Sequence, residues 1–188
     1  MGKVKSVPVI MQMEVVECGA ASLGMILAYH KKWLPLEQLR KDCGVSRDGC
    51  SAKQIILAAR NYGMDANAYR LDEEQLQQMT PAIIHWNFNH FLVYKGKKGK
   101  YHYLNDPGRG DVTVTQEEFD KAFTGIAIVC TPNEKFERGG SRASILGFVK
   151  RRLKNTWAAA FFKIPKACVI SRGIVSMPTP MGKFMELL

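Results

Sequence analysis

Polar and apolar residues follow one pattern in the first third of the chain and another in the rest. From Cys18 to Lys31 the chain is dominated by small and apolar residues, a composition that predicts a helix over 18–31. Shorter helices are predicted over 36–42 and 51–62. Ser51-Ala-Lys-Gln54 has the spacing of a capping box at the start of the latter, and Gly63 fits its C-terminal stop. Beyond Gly63 the runs shorten and become rich in β-branched and aromatic residues bounded by turn residues, which is strand patterning. A strand is expected at 64–70, then a helix at 72–79 capped by Asp72. Strands follow at 81–86, 90–95 and 101–105. A strand at 111–115 leads into a helix at 116–123, with Thr115 and Glu118 as a second capping box, and a last strand spans 125–131. Helices lead and strands follow, which argues an α+β fold: an N-terminal helical half, then an antiparallel β-sheet.

Composition changes this picture mainly at the C-terminal end. The chain has 188 residues, 46% of them hydrophobic, enough for one domain with a buried core plus an extension. Residues 1–137 carry 17 Lys/Arg against 16 Asp/Glu, whereas residues 138–188 carry 10 against one, Glu186. Gly139-Gly140-Ser141 marks the change, so the expected organisation is a nearly neutral body over 1–137 and a strongly basic linker or tail over 138–188. The stretch Ser144–Phe162 suits either a basic amphipathic helix on an anionic membrane surface or a solvated tail. Charge of this kind supports only non-specific contact with nucleic acid. Lys163, Lys166 and Arg172 interrupt the best candidate for a membrane span, 155–180, and no phosphate-binding GxxxxGK[ST] loop is present. The chain is therefore expected to be a fragment, a truncated product or a stand-alone unit rather than a transporter in itself.

Five cysteines stand at 18, 43, 50, 130 and 168, with no secretory signal before them, which fits a reducing cytosol. Cys130 lies in an apolar strand and reads as core. Cys43 and Cys50 flank a polar loop with no second pair of ligands nearby, so no metal and no cofactor is expected.

Cys18 is different. It stands where a turn gives way to the first helix, and Gln12 precedes it by six residues. The unpaired N–H groups and positive dipole end of a helix start favour thiolate over thiol, and the thiolate is the nucleophile. A glutamine amide supplies a hydrogen-bond donor for an oxyanion at the attacked carbonyl. Such chemistry needs a base. His30 ends the same helix, about 18 Å away at 1.5 Å per residue, and is excluded if that helix is unbroken. His102 is mid-strand and reads as a partly exposed strand residue. His85 and His90 both lie near strand ends, and spacing alone leaves both open. His90 opens one strand and Asp106 closes the next, so a hairpin makes them neighbours at one end of the sheet. There the carboxylate would fix the imidazole tautomer. Asp-Pro-Gly at 106–108 is equally an ordinary turn opening. Cysteine at a helix start, followed by His and Asp on a sheet, is a papain-like order.

Three blocks carry a resemblance to a known family: Gln12–Glu17 with Cys18-Gly-Ala-Ala-Ser-Leu, Pro81-Ala-Ile-Ile-His-Trp-Asn-Phe-Asn-His90-Phe-Leu-Val-Tyr, and Asn105-Asp106-Pro107-Gly108. Over residues 8 to 131 the chain resembles the double-glycine leader peptidases, cysteine-protease domains of bacterial peptidase-containing ABC transporters. The resemblance implies a papain-like fold, Cys18 as nucleophile, His90 rather than His85 as base, Asp106 as its orienter and Gln12 in the oxyanion hole. It implies a cysteine endopeptidase that removes the leader of a bacteriocin-type precursor after Gly-Gly, Gly-Ala or Gly-Ser. The implied partners are a precursor with an amphipathic leader helix and a transporter's membrane and ATPase parts, at the cytoplasmic, inner face of the bacterial plasma membrane. Under this resemblance the tail 138–188 is also readable as the remnant of a transporter membrane region. The competing expectation is a non-cleaving, leader-binding recruitment domain, a kind that resembles these peptidases but lacks the nucleophile.

Overall fold

The computed structural model describes residues 4–141; the expectations for the tail beyond Ser141, including Cys168, lie outside the described residues. Among the described residues no helix is long and apolar enough to cross a membrane.

The long apolar run forms α1 (Cys18–Tyr29), buried at every position from Cys18 to Ala28. A helix apolar on all sides belongs in the middle of a structure. It packs against α2 (Leu36–Asp42), α3 (Ala52–Asn61) and one face of a six-stranded antiparallel sheet. The strands are β1 (Met64–Arg70), β2 (Ala82–Trp86), β3 (His90–Lys98), β4 (Tyr101–Asp106), β5 (Gly110–Thr115) and β6 (Phe123–Pro132), in spatial order β1-β6-β2-β3-β4-β5. Two short helices, α4 (Glu73–Gln78) and α5 (Gln116–Ala122), complete the fold. The expected elements all form, with ends shifted by three residues at most and the bulged strand β3 extended to Lys98. A short 3-10 turn at Val15–Glu17, ahead of α1, was not expected.

Alternation along the central strands feeds two cores. Ile83, Val93 and Ile128 join Leu23, Ile26 and Leu39 on the α1 side. Ile84, Tyr94 and Ala127 join Leu76 and Phe119 on the side of α4 and α5. Successive side chains of a strand point to opposite faces, so neighbours in sequence enter different cores.

The two capping boxes form as expected, with Gln54 N–H donating to Ser51 Oγ (3.3 Å) and Glu118 N–H to Thr115 Oγ1 (3.4 Å), and Asp72 caps its helix by accepting the Gln75 N–H (2.8 Å). Gly63 ends α3 at φ +82°, and a Cβ there would stand 2.7 Å from the carbonyl carbon and oxygen of Lys135. A side chain at this position meets both an unfavourable backbone region and fixed backbone atoms. Gly63→Ala should therefore destabilise the protein by about 2 kcal/mol or more, read as a lower midpoint in urea unfolding.

Two terminal segments are tied to the body, the first to the sheet and its turns, the second to the loop after α1. Ahead of α1, Lys5 N–H donates to Lys95 O (2.9 Å), Asn105 Nδ2 to Val7 O (2.9 Å) and Gln12 N–H to Pro107 O (2.9 Å). These bonds carry Gln12 to the turn after β4. At the other end Trp33 N–H donates to Gly139 O (2.8 Å) and Gly139 N–H to Lys31 O (3.1 Å), so the packed body runs through Gly139.

Candidate active site

Cys18 is the first residue of α1, in helical torsion immediately after the 3-10 turn, and is 8% exposed. The helix start is closely packed from below. A Cβ on Gly19 would stand 2.5 Å from Cys50 Sγ and 2.7 Å from Ile55 Cδ1, so a side chain here would have to displace the Cys50 and Ile55 side chains packed against the helix start. The neighbouring Cys43 lowers the Cys50 pKa, with burial opposing and the Ala20 backbone N–H helping, while Cys50 and burial raise Cys43. Cys130 lies in the core, its thiol pushed up to about 12 by burial.

His90 opens β3 and Asp106 closes β4 at the same end of the hairpin, with Nε2 of His90 2.9 Å from Oδ1 of Asp106. Oδ1 also accepts the Gly108 N–H (2.8 Å), and Oδ2 takes Nε of Arg109 (2.8 Å). Burial opposes the charge on Asp106, but the hydrogen bonds from His90, Arg109 and Gly108 outweigh it and hold its pKa below the usual 3.8. With Nε2 committed to Asp106, Nδ1 is the ring nitrogen left for a second partner. The neighbouring Cys18 raises the His90 pKa most; burial opposes, and Asp106 adds to the rise. Cys18, His90 and Asp106 thus come together in one neighbourhood.

Gln12 lies beside the same turn. A Cβ on Gly108 would stand 3.5 Å from Asp106 Oδ1 and 3.6 Å from Gln12 Nε2, which puts the amide and the carboxylate around one glycine. The Gln12 Oε1 atom is buried without a hydrogen-bond donor.

The other histidines are elsewhere. Trp86 pairs with His90 and His85 with Phe91. His85 rests against Phe91, ring centroids 5.1 Å apart, bonds Thr124 Oγ1 through Nδ1 (3.2 Å), and is held by burial below its usual pKa. His30 caps the far end of α1. The expectation of partial exposure for His102 is corrected: it is fully buried, stacked on Phe119 of α5 at 4.1 Å. Nε2 of His102 meets Gln116 Oε1 (3.0 Å), and Glu73 lies 4.0 Å away. α5 folds back over β4 and covers it. Two participants near Cys18 and Asp106 were not foreseen from the sequence. Arg109 is legible as the cation three residues after Asp106. Arg40, paired with Glu17 at 2.9 Å, is not, because α2 brings it from far along the chain.

A cleft of about 330 Å³ is lined by Cys50, His85, Phe88, Asn89, Phe91 and Ile126, thus by both chain neighbours of His90. Phe88 stands 82% exposed at the hairpin tip, in left-handed torsion (φ +60°). A larger cleft, about 450 Å³, lies around Arg70, Asp72, Glu73 and Thr124 and contains none of the expected site residues. Among the described residues no group of three His, Cys, Asp or Glu side chains is disposed to hold a metal ion.

Residues 6–135 match the Peptidase C39 family. The chain belongs to that family. A double-glycine-motif protease from an AMS/PCAT transporter, solved with its leader peptide, shares 61% identity with this C39 domain, over 69% of this chain and 94% of the other, with a TM-score of 0.67. The colicin V secretion/processing ATP-binding protein of Escherichia coli is 37% identical over 134 residues, 71% of this chain and 19% of its own length. A probable microcin-H47 secretion/processing ATP-binding protein, also from Escherichia coli, is 37% identical over 70% of this chain and 19% of its own length. The chain thus spans about a fifth of the curated relatives it matches. Its papain-like arrangement of helices and antiparallel sheet is the C39 peptidase fold. This C39 chain is a cysteine-peptidase domain homologous to double-glycine leader peptidases.

Proposed function

We propose that this domain cleaves a leader peptide from a ribosomally made precursor directly after Gly-Gly, Gly-Ala or Gly-Ser, through Cys18, His90, Asp106 and Gln12. The observation that carries the reading is the placement of His90, with Nε2 2.9 Å from Asp106 Oδ1 and Cys18 as the neighbour that raises its pKa most. His90 takes the Cys18 proton, and the thiolate attacks the scissile carbonyl. The oxyanion is held by the Gln12 amide and the Cys18 N–H. His90 then returns the proton to the leaving amine, and water releases the acyl-enzyme. Asp106 keeps the imidazole in the tautomer that presents Nδ1 to sulfur.

Glycine at the cleavage point suits a nucleophile that is 8% exposed, since a substrate backbone without side chains reaches deepest into a narrow slot. Exposed Met13, Val15 and Phe88 flank the Gln12 and His90 segments and offer apolar anchors to an amphipathic leader helix. The relatives' printed names, secretion/processing ATP-binding proteins, support an ATP-dependent export context. Within it we place the domain beside the membrane and ATPase parts of a transporter, at the cytoplasmic face, with the basic stretch 138–188 as the link and a membrane-surface contact. The division into a peptidase body and a basic tail belongs to the same proposal, with the boundary moved from the expected 137/138 to beyond Gly139, which is hydrogen-bonded to Lys31 and Trp33 of the body.

The test is mass spectrometry of a precursor encoded beside this gene, incubated with residues 1–141 under reducing conditions. The expected result is one cut directly after the glycine pair. Leader binding without any cut would replace the reading with a recruitment domain.

A further inference from the structure

The segment between Gln12 and Cys18 has almost no apolar packing of its own: Met13 is 88% and Val15 84% exposed. Something else must fix its shape if Gln12 is to face the carbonyl that Cys18 attacks. The buried carboxylate of Glu17, 1% exposed, meets that need. Its Oε2 accepts the backbone N–H groups of Met13 (2.7 Å) and Glu14 (3.0 Å), and its Oε1 faces Nε of Arg40 on α2 (2.9 Å). Gln12 is therefore held on both sides: its own N–H donates to Pro107 O (2.9 Å), and the next peptide N–H is bound by Glu17, the residue bonded to Cys18. Arg40 also reaches Glu14 Oε2 at 3.7 Å, which ties the same loop to α2 a second time.

We propose that Glu17 and Arg40 act as positioning residues for the oxyanion-binding amide of Gln12, fixing the Gln12–Cys18 loop relative to the nucleophile. The proposal rests on the role given to Gln12 above. Charge-assisted hydrogen bonds are the strong ones, and a carboxylate with two oxygens serves two backbone donors and a guanidinium at once. An uncharged glutamine has one acceptor oxygen, so in Glu17→Gln either the loop N–H groups or Arg40 loses its partner. A donor that must wait for the oxyanion in place acts on the chemical step, not on docking of a distant leader.

The experiment compares wild type, Glu17→Gln, Arg40→Ala and Arg40→Lys in precursor cleavage, alongside the rate at which iodoacetamide alkylates Cys18. Arg40 is 38% exposed, and in Arg40→Ala the Glu17 carboxylate keeps its two backbone donors; circular dichroism of each variant checks that the fold persists. Glu17→Gln and Arg40→Ala should lower kcat about 10-fold or more with KM within about threefold, and leave Cys18 alkylation within about threefold; Arg40→Lys should recover most of kcat. Unchanged kcat in Arg40→Ala overturns the proposal. So does a loss of alkylation as large as the loss of kcat, because the nucleophile itself would then be disturbed. If wild type cleaves and the variants do too, only this proposal falls; if wild type never cleaves, the reading beneath it falls and takes this one with it.

Discussion

Cys18→Ala should abolish cleavage while leader binding persists. Loss of the nucleophile removes the covalent step entirely, and what remains is the oxyanion donors and substrate positioning; a fall in kcat/KM of about 10⁴-fold or more is expected. Nothing about Cys18 beyond its sulfur calls for a structural penalty. It is one buried residue in a helix whose neighbours Ala20, Ala21 and Leu23 carry the packing, and alanine is the better helix former. Cys18→Ser is the sharper control, since a hydroxyl fills nearly the same space but is a far weaker acid than a thiol. Both variants should bind a fluorescent leader within about threefold of wild type, by anisotropy. If Cys18→Ser still cuts at a wild-type rate, sulfur is not the attacking atom, and one of the other thiols or a metal-free water mechanism must be sought. If both variants lose leader binding as well, the start of α1 belongs to the docking surface, and the separation of binding from chemistry is wrong.

The parts of this site that were legible in the sequence are those fixed by short-range rules. A cysteine at the boundary between turn and apolar run marks a helix start, and α1 begins at Cys18. Two strands joined by a Gly/Lys turn bring the first residue of one beside the last of the other, and His90 and Asp106 lie 2.9 Å apart. The choice between His85 and His90 was not legible from residues alone. It depends on which strand residue pairs with which, and that register is set by Asn87 and Phe88 both taking positive φ between Trp86 and His90. Propensity does not foresee an aromatic residue in that region. His102 failed for a long-range reason. Its strand alternates, but α5 packs over the face that a lone hairpin would leave to water, and Phe119 stacks on the ring. The partner of Glu17 was hidden in the same way, since α2 supplies Arg40 from far along the chain. The sheet order is the strongest case, since β6 inserts between β1 and β2 and no local pattern encodes that.

His90 carries the second large effect, and it brings a pH signature with it. His90→Ala removes both the base for Cys18 and the acid for the leaving amine, so kcat/KM should again fall by about 10⁴-fold or more. The more informative variant is Asp106→Asn. In the wild type the hydrogen bond with Cys18 raises the His90 pKa above 6.5, burial works against it, and Asp106 adds a hydrogen bond and an opposite charge. A raised pKa means the imidazolium survives to higher pH, and activity on the alkaline side is lost as pH climbs through that raised value. Asparagine removes the charge, so the imidazolium is less favoured and the alkaline limb of kcat/KM moves to lower pH. The acid limb is not Asp106 titrating, because its carboxyl is held below 3.8 and stays charged there. The same sign governs stability: the His90 contribution is complete below its unfolded pKa and lost as pH rises through the folded one, whereas the Asp106 contribution is lost only as pH falls through its depressed value. The expected loss at the optimum is about 10²-fold, milder than for His90→Ala, since orientation is impaired but nucleophile and base remain. Profiles of kcat/KM from about pH 5 to pH 10 for both enzymes decide the matter. An alkaline limb that stays in place, or moves upward, would mean that Asp106 holds its turn through Gly108 and Arg109 and does not act on His90 at all.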